Sequence, residues 1–142
     1  MPQAKLTTEI DIAAAPARVW TVLTDLAGWS RWNPFIRAIG GDLMPGARLT
    51  TQMHPSGGRP MSFRPIVDAV VPEVSFGWRG RLLFPGLFDG HHTFRLAPIA
   101  GGTHLIHAES FTGLLLLAMN VERFRADFTA MNLALKAEAE RS

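Results

Sequence analysis

Three side chains able to hold or move a proton fall on strand-like stretches whose alternation would bring them to one interior. In THLIHAESF (103–111), Leu105, His107, Glu109 and Phe111 share one face, because successive strand side chains point to opposite sides. In FDGHHTFRL (88–96), His92 shares a face with Phe94 and Leu96, and His91 points the other way. If these apolar-rich faces look inward, a carboxyl and two imidazoles enter an apolar core from neighbouring strands. A buried carboxylate is expensive unless it is paired or protonated, and His92 or His107 could supply the partner. Such a set can hold sheet register through a buried hydrogen bond, orient the polar end of an otherwise apolar ligand, or act as general acid and base. Its composition also matches a two-histidine, one-carboxylate metal triad, a reading that a single bulge in the strand register would break.

Other chemistries find no support. Ser56, Ser62, Ser75 and Ser110 lie in no G-x-S-x-G context. "PSGGRP" and "IGGD" lack the spacing of a phosphate loop or a dinucleotide fingerprint, so no nucleotide cofactor is expected. The absence of cysteine excludes disulfides, thiolate zinc sites and a catalytic thiol, and fits a reducing compartment. With 14 Lys plus Arg against 12 Asp plus Glu the formal net charge is +2, and the basic residues do not cluster, which argues against nucleic acid as a partner. The first residues, MPQAKLTTEIDIAA, contain no apolar run of the secretory kind. "LLLLAM" is far shorter than the roughly 20 residues of a membrane span. A soluble, cytoplasmic protein is the expectation.

The elements that must position those side chains can be read from periodicity. "KLTTEIDI" alternates, with Leu6, Thr8, Ile10 and Ile12 on one face. "APARVWTVLTDL" is helical: Pro16 suits the first position, and Val19, Val22, Leu23 and Leu26 recur at helical spacing. Trp29 to Trp32 makes a second short turn that Asn33-Pro34 ends, with Asn33 capping through its side chain. Between 35 and 113 Gly and Pro punctuate the chain closely, leaving strands at about 35–41, 47–54, 61–70, 73–81, 88–97 and 103–112. With no helical pattern between them, antiparallel hairpins are expected. From 114 to about 140 the period changes: Leu114, Leu117, Val121, Phe124, Phe128, Met131 and Leu135 step by three and four. One amphipathic helix of roughly 40 Å is expected there at 1.5 Å per residue.

The 142 residues therefore read as one domain, 1–142, of α+β class. A seven-stranded antiparallel sheet has one greasy face, and the last helix is the only element large enough to cover it. A twisted sheet does not pack flat on such a helix, so a cavity can remain between them. Strand parity then predicts its lining: Trp78, His92, His107, Glu109 and Phe111, with Leu49, Met53 and Phe63 as apolar wall and Phe124, Phe128 and Met131 on the helix side. Val74 is expected to face inward with Phe76 and Trp78. Trp29 and Trp32 form either a packed turn or the edge of an entrance. Arg64 is assigned no role. The turn RLLFPGLFDG is unusually greasy for a loop. Phe84, Leu87 and Phe88 are expected to form a lip over the cavity mouth, the alternatives being a cap on the core or a homodimer contact.

The stretches APARVWTVLTDLAGWSRWNPF, FGWRGRLLFPGLFDGHHTFRL and GTHLIHAESFTG, followed by the long helix, resemble in this order the START-like, Bet v 1-like superfamily, also called SRPBCC or polyketide cyclase/dehydrase-like proteins. The resemblance covers essentially the whole chain. It implies a helix-grip fold, in which a seven-stranded sheet grips the C-terminal helix over a hydrophobic pocket, with two short helices after the first strand. Members bind lipids, sterols, polyketides or other apolar molecules; a minority are cyclases or aromatases, and a neighbouring branch stimulates chaperone ATPases. The resemblance implies no metal or other cofactor. The expectation is binding of an apolar small molecule, with two alternatives: a cyclase or dehydratase using Glu109 with His92 or His107 as acid and base, and a chaperone-stimulating or regulatory module. Fold alone does not choose among these.

Overall fold

The alternation at the start of the chain becomes β1 (Gln3–Ile12), with Leu6, Thr8 and Ile12 buried and their neighbours outward. The structure is a computed structural model and describes residues 1–141. After β1 come α1 (Pro16–Thr24), a single 3-10 turn and α2 (Trp29–Trp32). The strands β2 (Ile36–Gly40), β3 (Thr50–Met53), β4 (Met61–Phe63), β5 (Ile66–Val71), β6 (Ser75–Arg81), β7 (Asp89–Ile99) and β8 (Gly102–Thr112) follow, and α3 (Arg125–Glu140) ends the chain. All strand pairs are antiparallel. One sheet has the order β1-β8-β7-β6-β5 and the other β2-β3-β4.

Local chemistry explains the connections. β7 and β8 pair from Ile99 with Gly102, so the turn is the two residues Ala100 and Gly101. Gly101 has φ +79°, which a hairpin this tight demands. Asn33 accepts hydrogen bonds at Oδ1 from the amides of Phe35 and Ile36, both 2.9 Å, which turns the chain out of α2 and into β2. Trp29 is fully buried and donates from Nε1 to the Leu23 carbonyl at 3.1 Å, so it is a packed core residue and not an entrance.

Two expectations of continuity fail. The stretch 61–70 is two strands, β4 and β5, because Pro65 has no amide to donate to a ladder. Its carbonyl instead accepts from Leu49 N at 2.8 Å, while Val67 N donates to the Ala47 carbonyl at 2.8 Å. Residues 46–49 thereby pass the edge from one sheet to the other, and seven strands become eight. The expected helix from 114 to 140 is also interrupted. Leu114–Leu117 and Val121–Phe124 are separate 3-10 turns, and α3 itself has 16 residues, about 24 Å. Asn120 is extended and its Oδ1 accepts from Glu122 N, which starts a new helical run at that point. Leu114 and Leu117 are consequently exposed rather than part of the core stripe. Val74 is likewise exposed, since it lies in the β5–β6 turn.

α3 lies against the inner faces of both sheets. Val121, Phe124, Phe128, Met131 and Leu135 are buried, and the far end of α3 is held by α1. Arg18 donates to the carbonyls of Ala139 and Glu138 at 3.2 and 3.3 Å, so a cation meets the free carbonyls at the helix C-terminus. Phe128 stacks on His107 with ring centroids 4.2 Å apart and lies 5.6 Å from Phe35. Phe128→Ala is expected to lower unfolding free energy by about 3 kcal/mol, the low end of the range for buried aromatics, because the ring already borders a void. Chemical denaturation measures it; a loss below about 1 kcal/mol would show that this face of α3 does not pack on the sheet.

Candidate functional site

A cavity opens between the two sheets and the first turns of α3. The enclosed space is about 50 Å³, within an envelope of about 600 Å³ once the mouth is included. β2, β3 and β4 supply Ile36, Thr51, Met53, Met61 and Phe63; β6, β7 and β8 supply Trp78, His92, Glu109 and Phe111; Phe124 and Phe128 close the helix side. The walls are mostly aromatic and aliphatic. Polar side chains enter at Thr51 and at the His92–Glu109 corner.

That corner belongs to a chain of polar contacts running through the core. Glu109 Oε1 lies 3.0 Å from His92 Nδ1, although not in the alignment of a good hydrogen bond. His92 Nε2 is 2.6 Å from His107 Nε2, His107 Nδ1 is 2.8 Å from Asn132 Oδ1, and Asn132 Nδ2 donates to Thr8 Oγ1 at 2.8 Å. Thr8 Oγ1 donates in turn to the His107 carbonyl at 2.8 Å. His92, His107 and Asn132 are all at most 2% exposed, whereas the Glu109 side chain is 15% exposed, toward the cavity. Burial holds the His107 pKa well below the ordinary histidine range; proximity to His92 lowers it further and the hydrogen bond to Asn132 partly opposes both. His107 is therefore neutral at pH 7. The two imidazoles face each other through Nε2, so they do not converge with Glu109 on one point as metal ligands would. Among the described residues no cluster has metal-holding geometry.

Glycine makes this corner possible. A Cβ on Gly90, opposite Phe111 in the β7–β8 pair, would collide with Glu109 Oε2. The carboxylate thus lies over bare backbone.

Of the residues expected at the cavity from strand parity, helical period and the turn, Met53, Phe63, Trp78, Phe88, His92, Glu109, Phe111, Phe124 and Phe128 line it. His107 lies one layer behind His92, and Leu49 and Met131 are sealed in the core at 0% and 1% exposure. These three are corrections: inward parity places a side chain in the interior but does not distinguish wall from packing. The turn 82–88 also differs from expectation. Phe88 stacks on Phe111 at 5.4 Å and reaches the cavity, but Phe84 is half exposed, Leu87 is not part of the lining, and Leu83 is 83% exposed with φ +65°. The turn is braced, with Leu114 N donating to the Gly86 carbonyl and Leu115 N to that of Leu87. It is a fixed rim with one inward residue. Sequence parity missed Phe35, Ile36, Thr51 and Met61 as walls, and Asn132 altogether; its i+4 step from Phe128 on the apolar stripe was the available signal for Asn132.

The sequence model for polyketide cyclase / dehydrase and lipid transport proteins matches residues 3–140. No curated protein matches the chain by sequence. Among solved structures, the ginseng major latex-like protein 151 from Panax ginseng superposes with a TM-score of 0.82 at 11% identity, covering 98% of this chain and 99% of that one. The Zhui aromatase/cyclase from Streptomyces sp. R1128 superposes with a TM-score of 0.78 at 16% identity, covering 99% and 95%. At such identities the likeness shows the fold.

The depressed His107 pKa makes stability depend on pH. The unfolded chain takes up a proton below about pH 6.5 that the folded chain refuses. The contribution is fully present above that pH and is lost as pH falls below it, at about 1.4 kcal/mol per pH unit for one proton. His104, raised by its hydrogen bonds to Asp11 and Glu9, works in the opposite direction and is common to variants of His107. Denaturation between pH 8 and pH 5 is expected to show a steeper acid loss in the wild type than in His107→Gln; parallel curves would mean His107 is not held neutral.

Proposed function

Because the chain belongs to the polyketide cyclase/dehydrase and lipid transport family, we propose that it binds an apolar small molecule in the cavity between its sheets and α3, with the polar end of that molecule at the Glu109–His92 corner. The observation that carries this reading is the contrast within one cavity: aromatic and aliphatic walls, and a single carboxyl against a buried imidazole. Small-molecule sites combine those two features, apolar area for affinity and a few placed polar groups for orientation. A protein that used this region only as core would gain by filling it, since interiors are close-packed.

An enclosed space of about 50 Å³ is small beside the roughly 300–1,000 Å³ of pockets for drug-sized ligands. Entry therefore displaces wall side chains. Met53 and Met61 sit opposite each other in the β3–β4 pair and are both half-buried at the mouth, and methionine adapts its shape at low penalty. Uptake of an environment-sensitive apolar dye and native mass spectrometry of the purified protein test the proposal. Met61→Glu is expected to weaken dye binding by about 10- to 100-fold, the equivalent of about 1.5–3 kcal/mol of lost apolar burial, with the melting temperature nearly unchanged. Unchanged dye affinity in that variant would place the ligand elsewhere.

A second reading follows from the same corner. A carboxyl 3.0 Å from a buried imidazole at a cavity wall can enolise or dehydrate a bound carbonyl compound. Glu109→Gln separates the two: a catalyst loses turnover while the fold and affinity remain, whereas a binding protein keeps its ligand.

A further inference from the structure

The polar chain ends on a backbone carbonyl, and that end dictates the direction of every proton in it. A carbonyl oxygen only accepts. At 2.8 Å from the His107 carbonyl, the Thr8 hydroxyl must spend its single proton there. Thr8 Oγ1 can then only accept from Asn132, which places the amide nitrogen of Asn132 toward Thr8 and its Oδ1 toward His107. His107 must therefore carry its proton on Nδ1. Being neutral through burial, it presents a bare Nε2 to His92 at 2.6 Å. His92 must donate from Nε2. Its Nδ1 is then left without a proton of its own, facing Glu109 Oε1 at 3.0 Å.

His92 therefore offers no donor to this carboxyl group, and a carboxylate only accepts. The remaining oxygen, Glu109 Oε2, then offers lone pairs only. It lies against Gly90, and both residues line the cavity. We propose that Thr8 and Asn132 act as positioning residues that orient this chain, so that the cavity presents a hydrogen-bond acceptor and selects apolar ligands bearing a hydroxyl donor over those whose polar group only accepts. This rests on the cavity being a ligand site, and it adds the chemical class of the polar end.

The Glu109→Gln variant gives the sharpest discrimination. If His92 Nδ1 lacks a proton, the introduced amide nitrogen turns to it and the amide oxygen faces the cavity, so the preference for a donor persists. If the chain ran the other way, the amide oxygen would turn to His92 and the NH₂ group would face the cavity, inverting the preference. The probes are 2-naphthol and 2-methoxynaphthalene, equal in ring system and differing in the donor, with affinities read by fluorescence titration. The wild type and Glu109→Gln are expected to favour the naphthol by about tenfold or more, and Glu109→Leu to lose that preference. Nitrogen chemical shifts of the imidazoles, read by NMR without ligand, are expected to show His107 protonated at Nδ1 and His92 at Nε2; Asn132→Leu, which removes the acceptor for His107 Nδ1, is expected to change both. The opposite tautomers in the wild type, or a Glu109→Gln protein that prefers the ether, overturn the proposal. If neither compound binds while the tautomers are as expected, the ligand reading of the cavity fails, and with it the selectivity, although the orientation of the chain stands.

Discussion

The contact on which this architecture turns is the hydrogen bond between His107 and Asn132, 2.8 Å long and out of reach of water. It joins β8 to α3 in the middle of the core, and Asn132 continues to β1 through Thr8. An apolar stripe can slide or rotate against an apolar sheet at little expense, since the hydrophobic effect is non-directional. A buried amide cannot: moving α3 by one residue would part Asn132 from both its partners and leave His107 Nδ1 without an acceptor, and an unsatisfied buried polar group costs about 1–3 kcal/mol. The polar chain therefore fixes the azimuth and register of the helix that covers the sheet.

α3 is held at Asn132, at its C-terminal end by Arg18, and at its N-terminal end by Arg125, whose guanidinium donates to the Thr7 carbonyl of β1. There the two sheets separate, β4 giving way to β5 across Pro65, and the helix begins at Arg125 only after two 3-10 turns. The space left between Phe124, Phe128 and the strands is the cavity. Its polar corner is the surface end of the same chain that holds the helix. One set of side chains thus serves both as the register pin of the fold and as the polar feature of the site, which ties any change in site protonation to core packing.

Much of this was legible in the sequence for a physical reason. Period-two alternation in β1, β7 and β8 is imposed by the pleat, so Leu6, Thr8, His92, His107 and Glu109 had to share an interior, and the Trp32-Asn33-Pro34 turn carried its own chemistry. Alternation is blind to depth, however. It could not tell that His107 and Leu49 are packed behind the wall while Phe88 and Glu109 reach it. It was also blind to interruptions that keep the apolar period. Leu114 and Leu117 continue the helical stripe in sequence, yet the chain between 118 and 120 leaves the helix and Asn120 starts a new one. Asn132 could be placed on the inner stripe by its spacing from Phe128, but a polar residue there carries no label for its partner, which lies 25 residues away on another element. The greasy turn misled because exposure was inferred from function. Its tip points outward at Leu83, and backbone hydrogen bonds to 114–115 hold it as a rim.

That bracing bears on how a ligand could enter so small a space. The rim backbone is tied at Gly86 and Leu87 to the residues after β8, so opening it would break hydrogen bonds that nothing in an apolar ligand replaces. The opposite wall is different. β4 has three residues and sits at the edge of its sheet, next to the Pro65 break. Its Met61, with Met53 opposite, contributes flexible side chains rather than rings. Displacing a thioether chain into solvent-facing space loses little, whereas displacing Phe88 would unstack it from Phe111. In the proposed binding function, expansion of the cavity would proceed on the β3–β4 side, with the His92–Glu109 corner held to the core behind it through His107 and Asn132. One wall carries the polar group and the other the methionines, an arrangement that in the proposed function would hold one end of a molecule in a defined orientation while tolerating variation in the size of the other.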